Sequence, residues 1–119
     1  MYDLENRTLA FSQNLIWFLK ACPKNNITFS LINQCLRAGT SIGANYREAN
    51  GASSKKEFYC KIFICKKESK ETFYWLELLE KTIDDERCKD ACRPLQMEAK
   101  EFMLIFGKIA ASGKVNLLV

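Results

Sequence analysis

Two glutamates, Glu48 and Glu71, carry the side chains most able to do acid–base chemistry in this sequence. A pair of carboxylates can serve as general acid and general base, or can bind a metal ion. Glu48 ends a polar series in which Arg37, Ser41 and Asn45 precede it at spacings of four, four and three. That spacing places the four residues along one stripe of a helix. The stripe is the first candidate for a functional site.

The polar stripe has two interpretations. One is a site shared by the second and third helices, where Ser69 and Glu71 face the stripe. The other is a network of interhelical hydrogen bonds that fixes the register of the two helices. We favour the network because the 119 residues include no histidine, the commonest general base and a ligand of di-metal helical bundles. We therefore predict no catalytic residue, no metal and no cofactor, and rank an enzyme using Glu48 and Glu71 last.

Six cysteines are the other reactive residues. Cys88 and Cys92 lie one helical turn apart. They are either half of a metal site or two small residues of the core, and we favour the core. No C-x-x-C pair occurs, and residues 1–7 lack the basic start and apolar run of a signal peptide. No apolar run approaches the ~20 residues of a membrane span. The sequence therefore predicts a cytoplasmic protein with reduced thiols and no membrane contact.

Basic residues are concentrated in the middle of the chain. The formal net charge is +4, yet residues 37–70 hold eight Lys and Arg against three Glu, whereas residues 71–102 hold five against nine acids. Such a cluster is either a solvated helix face or a surface for phosphate groups. The candidate nucleic-acid-binding residues are Arg37, Arg47, Lys55, Lys56, Lys61, Lys66, Lys67 and Lys70.

The elements that position these residues are expected to be helices. Only 5 Gly and 2 Pro occur in 119 residues, too few for the many turns of a β-sandwich. Apolar residues recur at steps of three and four, and three loop signals divide the chain into four segments. We predict one all-α domain, an antiparallel up-down-up-down four-helix bundle spanning residues 1–119. Its helices are expected at about residues 3–22, 28–49, 54–80 and 84–112.

The third helix shows the clearest pattern. Ser54 and Glu57 are predicted to form a capping box at its start. Its buried seam alternates steps of four and three through Phe58, Ile62, Cys65, Ser69, Thr72, Leu76 and Leu79. Glycine marks two further helix ends. Asn50-Gly51 is expected to end the second helix through a left-handed glycine, and Gly113 is expected to end the fourth.

Apolar residues also lie off the predicted seams. They include Ile16, Trp17 and Leu19 in the first segment and, in the third, Phe63, Ile64, Phe73, Tyr74, Trp75 and Leu78. One bundle core cannot cover all of them. Because large exposed apolar patches usually mark interfaces, we predict self-association.

Residues 37–79 carry a longer pattern. It begins R-x-x-x-S-I-x-A-N-x-x-E-A at residues 37–49 and continues S-K-x-E-F at residues 54–58. It ends C-x-x-E-S-x-E-T-x-Y-W-L at residues 65–76. This combination resembles the bacterial four helix bundle protein family, also called the 23S rRNA intervening-sequence protein family. Cys65 departs from the alanine that is usual there, but a small apolar residue does not put the fold in doubt.

The resemblance implies a helical bundle with no enzymatic activity. Its pattern falls on Ser41, Asn45, Glu48, Ser69 and Glu71. A relative, the accessory protein of diversity-generating retroelements, resembles a basic pentameric bundle that associates with a reverse transcriptase and nucleic acid. The sequence and the resemblance together predict a homo-oligomer, with a pentamer as one candidate, that binds RNA, DNA or a nucleic-acid enzyme. The alternative is a purely protein-binding structural subunit.

Overall fold

In residues 3–118, whose backbone the computed structural model describes, the chain forms four helices and no strand. Side chains are described for residues 3–113. This confirms the predicted all-α class. The helices are α1 (Leu4–Ala21), α2 (Asn26–Asn50), α3 (Lys55–Thr82) and α4 (Glu86–Leu118).

Each helix packs against the next in the chain, and α1 also packs against α4. The turns span only residues 22–25, 51–54 and 83–85, so consecutive helices run antiparallel. The predicted four-helix bundle is therefore confirmed. Because α1 also contacts α4, the four helices close into a ring. The outer side of the α1–α2 pair therefore lies opposite the outer side of the α3–α4 pair, and the bundle has two separate broad faces.

The core follows the predicted seams closely. In α3 every seam residue from Ile62 to Leu79 is buried. α4 buries a series with the same steps of four and three: Cys88, Cys92, Leu95, Ala99, Phe102 and Phe106. Phe11 of α1 meets Phe102 of α4 edge to face, with ring centroids 5.4 Å apart. Burial of these large side chains supplies most of the stability of the bundle.

Two helix starts differ from the sequence prediction. α2 begins two residues early because the Asn25 side chain accepts from the Ile27 and Thr28 amides, and the Thr28 hydroxyl accepts from the Asn25 amide. This is a capping box. At α3, the Ser54 hydroxyl accepts from the Glu57 amide as predicted, but the Glu57 carboxylate does not accept from the Ser54 amide. This carboxylate accepts instead from the Ser53 amide and hydroxyl, at 3.1 and 3.0 Å, which lowers the Glu57 pKa.

Two glycines behave differently from the prediction. Gly51 follows the last residue of α2 with φ −94°, so the helix ends there without a left-handed residue. Gly113 does not end α4, which continues to Leu118. A Cβ at Gly113 would lie 2.1 Å from the Tyr59 ring, so the absence of a side chain here admits an aromatic ring from α3.

Two further glycines allow α1 and α2 to approach closely. A Cβ on Gly39 would lie 2.1 Å from Leu15 Cδ2, and one on Gly43 would lie 3.0 Å from Thr8 Oγ1. Gly39 and Gly43 are one turn apart and both face α1, so they form a shallow track for its side chains. Leu15, which lies over Gly39, is fully buried.

Candidate nucleic-acid interface

Three of the eight basic candidates lie beside carboxylates, and two of these are paired across α2 and α3. Arg37 reaches from α2 to α3, where its guanidinium bonds Glu71 and, at 3.2 Å, Glu68. Lys61 of α3 bonds Glu48 of α2 at 2.9 Å, and this hydrogen bond raises the Lys61 pKa. These pairs bridge the two helices and leave little positive charge available for a ligand.

Arg47 is placed differently from the other arginine of α2. Its guanidinium lies 3.9 Å from the Glu5 carboxylate, at the limit of an ion pair, and its side chain is half exposed. Glu5 also accepts from the Asn50 amide group at 2.9 Å, so the carboxylate is shared between two α2 residues. Arg47 therefore belongs to the α1–α2 contact and not to the lysine cluster of α3.

The remaining five candidates all lie on α3, and we call them the unpaired lysines: Lys55, Lys56, Lys66, Lys67 and Lys70. Within the described part of the chain, no carboxylate comes within 4.0 Å of any of them. Four are exposed and Lys66 is half-buried. The structure thus separates the sequence cluster into a paired set at the α2–α3 contact and an unpaired set that faces solvent.

The polar residues of the family pattern do not form the expected network between helices. Ser41 donates to the Arg37 carbonyl at 2.7 Å, Asn45 to the Ser41 carbonyl at 2.9 Å, and Ser69 to the Cys65 carbonyl at 2.7 Å. Each hydrogen bond stays within one helix, because a short polar side chain on a helix is within reach of the carbonyl four residues before it. For these residues the interhelical prediction is wrong.

Glu48 and Glu71 are the members of the pattern that do bridge helices. Each is held by a different cation, Lys61 and Arg37, and Glu71 also accepts from the Trp75 indole N–H at 3.1 Å. A third bridge is sulfur-based, since the Cys65 thiol donates to the Ile42 carbonyl at 3.5 Å. Charge pairs and a buried thiol therefore set the α2–α3 register.

The cysteines are free, and all except Cys60 are buried. Cys92 donates to the Leu76 carbonyl at 3.2 Å and Cys88 approaches the Ala21 carbonyl at 3.8 Å, so both pack as core residues. Burial raises the pKa of Cys22 and Cys65 to about 12 and that of Cys92 to about 11. In residues 3–113 no three Cys, Asp or Glu side chains are arranged to hold a metal ion.

The sequence did not reveal a groove between the outer sides of α3 and α4. Its volume is about 740 Å³, and its walls are mostly apolar. α3 supplies Lys56, Tyr59, Cys60, Phe63, Ile64 and Lys66, and α4 supplies Gly107, Ala110 and Ala111. The three small residues of α4 recur at spacings of three and one, which places them on one side of that helix, but the sequence does not say which helix would face them. The groove lies directly beside the unpaired lysines.

Exposed apolar side chains also occur on the opposite face of the bundle. Leu9 and Ile16 lie on the outer side of α1, where they are 53% and 38% exposed. Phe29 and Leu36 lie seven residues apart on the outer side of α2, at 56% and 37%. Together we call these four the α1–α2 apolar face. None of the helices in residues 3–118 has both the length and the apolar character to cross a bilayer.

Comparison with known proteins identifies a family and a solved structure. The sequence pattern of the 23S rRNA-intervening sequence protein family matches residues 3–99. A crystal structure of a protein of unknown function from the S23 ribosomal protein family of Bacteroides thetaiotaomicron VPI-5482 superposes with a TM-score of 0.79 and 34% identity. The superposition covers 90% of this chain and 97% of the other. No curated protein matches significantly. The matched residues include all of α1 to α3 and hence every unpaired lysine.

Proposed function

Because the chain belongs to the 23S rRNA-intervening sequence protein family, we propose that it is a non-enzymatic, self-assembling bundle that binds nucleic acid through the unpaired lysines of α3. A nucleic-acid enzyme such as a reverse transcriptase is the protein partner that the family resemblance suggests. One observation carries the proposal. Five lysines on one helix have no carboxylate within 4.0 Å among residues 3–113, although the neighbouring Arg37 and Lys61 are both paired.

The physical argument is the cost of leaving cations unpaired. Lys66 and Lys70 lie one helical turn apart, and like charges at that spacing destabilise a helix by a few tenths of a kcal/mol. A polyanion removes this repulsion, and each phosphate contact releases a condensed counterion, which favours binding at low salt. Glu48, Glu68 and Glu71 all lie toward α2, away from the α3–α4 side where a phosphate backbone would run.

Self-association is proposed through the α1–α2 apolar face. Its four residues are too exposed to belong to the core of one chain, and a second copy would remove them from water. The face lies opposite the α3–α4 side, so an oligomer built on it leaves the lysines of every copy accessible. Two or more associated copies would then present several lysine clusters to one polyanion and raise the avidity.

The second candidate function is a protein-binding structural subunit with no affinity for nucleic acid. The exposed apolar residues favour it, since they suit a protein surface better than a phosphate backbone. The two candidates differ in the role they give the lysines. In the structural subunit the lysines serve only as a solvated helix face.

A salt titration separates the two candidates. We expect the fourfold Lys→Gln variant at 56, 66, 67 and 70 to fold normally, since all four side chains lie off the core. It should lose affinity for RNA or single-stranded DNA. Its plot of log affinity against log salt should flatten by about 3 in total, at about 0.7 to 0.9 for each phosphate that is no longer neutralised. Fluorescence anisotropy at several salt concentrations measures both quantities.

The matched control removes four positive charges from the other end of the bundle. These are Lys20, Lys81, Arg87 and Lys89, all replaced by Gln, which likewise have no carboxylate within 4.0 Å in the described region. The control variant should keep most of the salt dependence. Equal slopes and equal affinities for the wild type and the α3 variant would refute nucleic-acid binding by this helix and favour the structural subunit.

The oligomer is tested by light scattering at micromolar concentrations. We expect a mass several times 13.7 kDa, and about five times that value for a pentamer. Replacing Ile16 by Glu places a charge in the α1–α2 apolar face and should lower the mass toward that of one chain. A wild-type mass of one chain at every concentration would contradict self-association.

A further inference from the structure

We propose that the α3–α4 groove holds the bases of a single-stranded nucleic acid, stacked on Phe63 and Tyr59, while the unpaired lysines contact its phosphates. The inference rests on the proposed function, nucleic-acid binding, and specifies that the bound form is single-stranded. It starts from two features that coincide on one side of the bundle: an apolar groove and a series of lysines with no carboxylate within 4.0 Å among residues 3–113.

The groove has the shape to receive flat apolar groups. Among the described side chains, its α4 wall consists of Gly107, Ala110 and Ala111, none of which is long. Phe63 stands on the α3 wall and is 53% exposed, which is high for a phenylalanine. The volume of about 740 Å³ is within the range of small-molecule pockets. A planar ring bound in this groove would stack on Phe63 and remove its exposed surface from water, which favours binding.

Tyr59 is fixed in place at one end of the groove. Its ring occupies the space that a Cβ on Gly113 would fill, and it packs edge to face on Phe58, with centroids 5.1 Å apart. A ring held on two sides loses little freedom when a base stacks on it, and preorganisation of this kind favours binding. Phe63 lies four residues further along α3, on the same side of the helix.

Cations surround the groove on the α3 side. Lys56 and Lys66 line it, and the Lys66 stem lies 3.7 Å from where a Gly107 Cβ would be. Beyond them, Lys67 and Lys70 continue along the exposed ridge toward Tyr74, which is 54% exposed. Aromatic rings alternating with unpaired lysines match the alternation of bases and phosphates in a single strand. In a duplex the base faces are already stacked, so a duplex would engage the lysines alone.

The choice of a strand over a protein follows from charge. An acidic helix from a partner would also pair with the lysines, but its side chains would not stack on the exposed ring of Phe63 as a planar base does. A single strand carries its phosphates along one edge and its bases along the other, so one ligand satisfies both the lysines and the groove. A second copy of this chain is the remaining occupant that the experiment must distinguish.

The experiment uses three oligonucleotides of equal length and charge per strand: a single strand, the same sequence as a duplex, and an abasic strand. We expect the wild type to bind the single strand at least 10-fold more tightly than the abasic strand. Phe63→Ala should weaken single-strand binding by about 5- to 150-fold, the usual effect of losing one stacked base, with an unchanged salt slope. It should leave binding of the abasic strand as it was.

Ile27→Ala is the control. Ile27 is more exposed than Phe63, at 68% against 53%, and is also helical, but it belongs neither to the groove nor to the α1–α2 apolar face. The Ile27→Ala variant should bind the single strand like the wild type. As a second readout, the exposed Cys60 thiol lines the groove, so the single strand should slow its alkylation by maleimide whereas the duplex should not.

Failure of this inference is distinguishable from failure of the proposed function. If the wild type binds all three oligonucleotides equally with a steep salt dependence, the phosphates are bound but no base is stacked, and the inference is overturned alone. If none binds, both fail. If Phe63→Ala lowers the light-scattering mass without weakening single-strand binding, a second copy occupies the groove, and the inference is again overturned.

Discussion

Gly39→Ala is expected to destabilise the protein, although alanine is the better helix former. A Cβ at position 39 would lie 2.1 Å from Leu15 Cδ2, and Leu15 is fully buried in the core cluster, so its methyl group can move only against other core residues. Overpacking of this kind costs about 1–3 kcal/mol, which exceeds the ~1 kcal/mol that Gly→Ala contributes to a helix. Urea denaturation should show a lower midpoint with an unchanged m-value.

Gly107→Ala is the matched control for this prediction. Gly107 also lies inside a helix, but the nearest atom to its Cβ position is Lys66 Cε at 3.7 Å, an ordinary contact. The same substitution should therefore raise the denaturation midpoint there, by about the helix-propensity difference of ~1 kcal/mol. If Gly39→Ala were as stable as the wild type, Leu15 would have room to move away from α2, and the close approach of α1 and α2 would be refuted.

Mildly alkaline pH is expected to destabilise the protein because several buried thiols keep their protons in the folded state. Burial raises the pKa of Cys22 and Cys65 to about 12 and that of Cys92 to about 11, whereas an unfolded thiol titrates near ~8.5. Above pH ~8.5 the unfolded chain loses these protons and the folded chain keeps them, so the free energy of unfolding falls as the pH rises.

The expected decrease in the free energy of unfolding is large. One pH unit above the unfolded pKa, each thiol costs about 1.4 kcal/mol, so at pH ~9.5 the three thiols together remove about 4 kcal/mol. Burial also raises the pKa of Cys35 and Cys88, which adds to the loss. Urea denaturation at pH ~7.5 and pH ~9.5 measures the difference.

Two cysteine variants test the origin of this effect. Cys65→Ala removes one buried thiol and should reduce the loss between the two pH values by about 1.4 kcal/mol. Cys60→Ala removes the exposed thiol and should leave the loss unchanged. A stability that stays constant up to pH ~9.5 would show that the buried thiols ionise without unfolding the protein.

The fold could be predicted from the sequence because periodicity alone identifies a helix and its buried side. The steps of four and three from Ile62 to Leu79 place every one of those residues in the core, as the structure shows. The helix ends are less predictable. Periodicity places Thr28 inside α2, but its hydroxyl caps the helix start, and composition places Gly113 at the end of α4, where it instead makes room for Tyr59. Both roles depend on neighbours that the local sequence does not specify.

The candidate site was only partly predictable for a related reason. Composition located the lysines but could not say which of them had partners, since Glu48 and Lys61 lie 13 residues apart and meet only after α2 and α3 pack. The ordinary i, i+4 spacing pairs Lys61 with Glu57 instead, whereas Glu57 is engaged with Ser53. The groove depends on the rotation of α3 and α4 about their axes. That rotation is decided by how side chains such as Tyr59 fit the opposite helix.

The closure of the helical ring has a kinetic consequence. Each helix packs on its chain neighbour through a turn of three or four residues, so α2, α3 and α4 can dock by closing short loops. Topologies dominated by such local contacts fold in microseconds to milliseconds. The contact of α1 with α4 is the exception, because the Arg7–Glu98 pair joins residues 91 positions apart. The edge between the first and last helices is therefore the part of the bundle whose formation carries the largest entropic barrier.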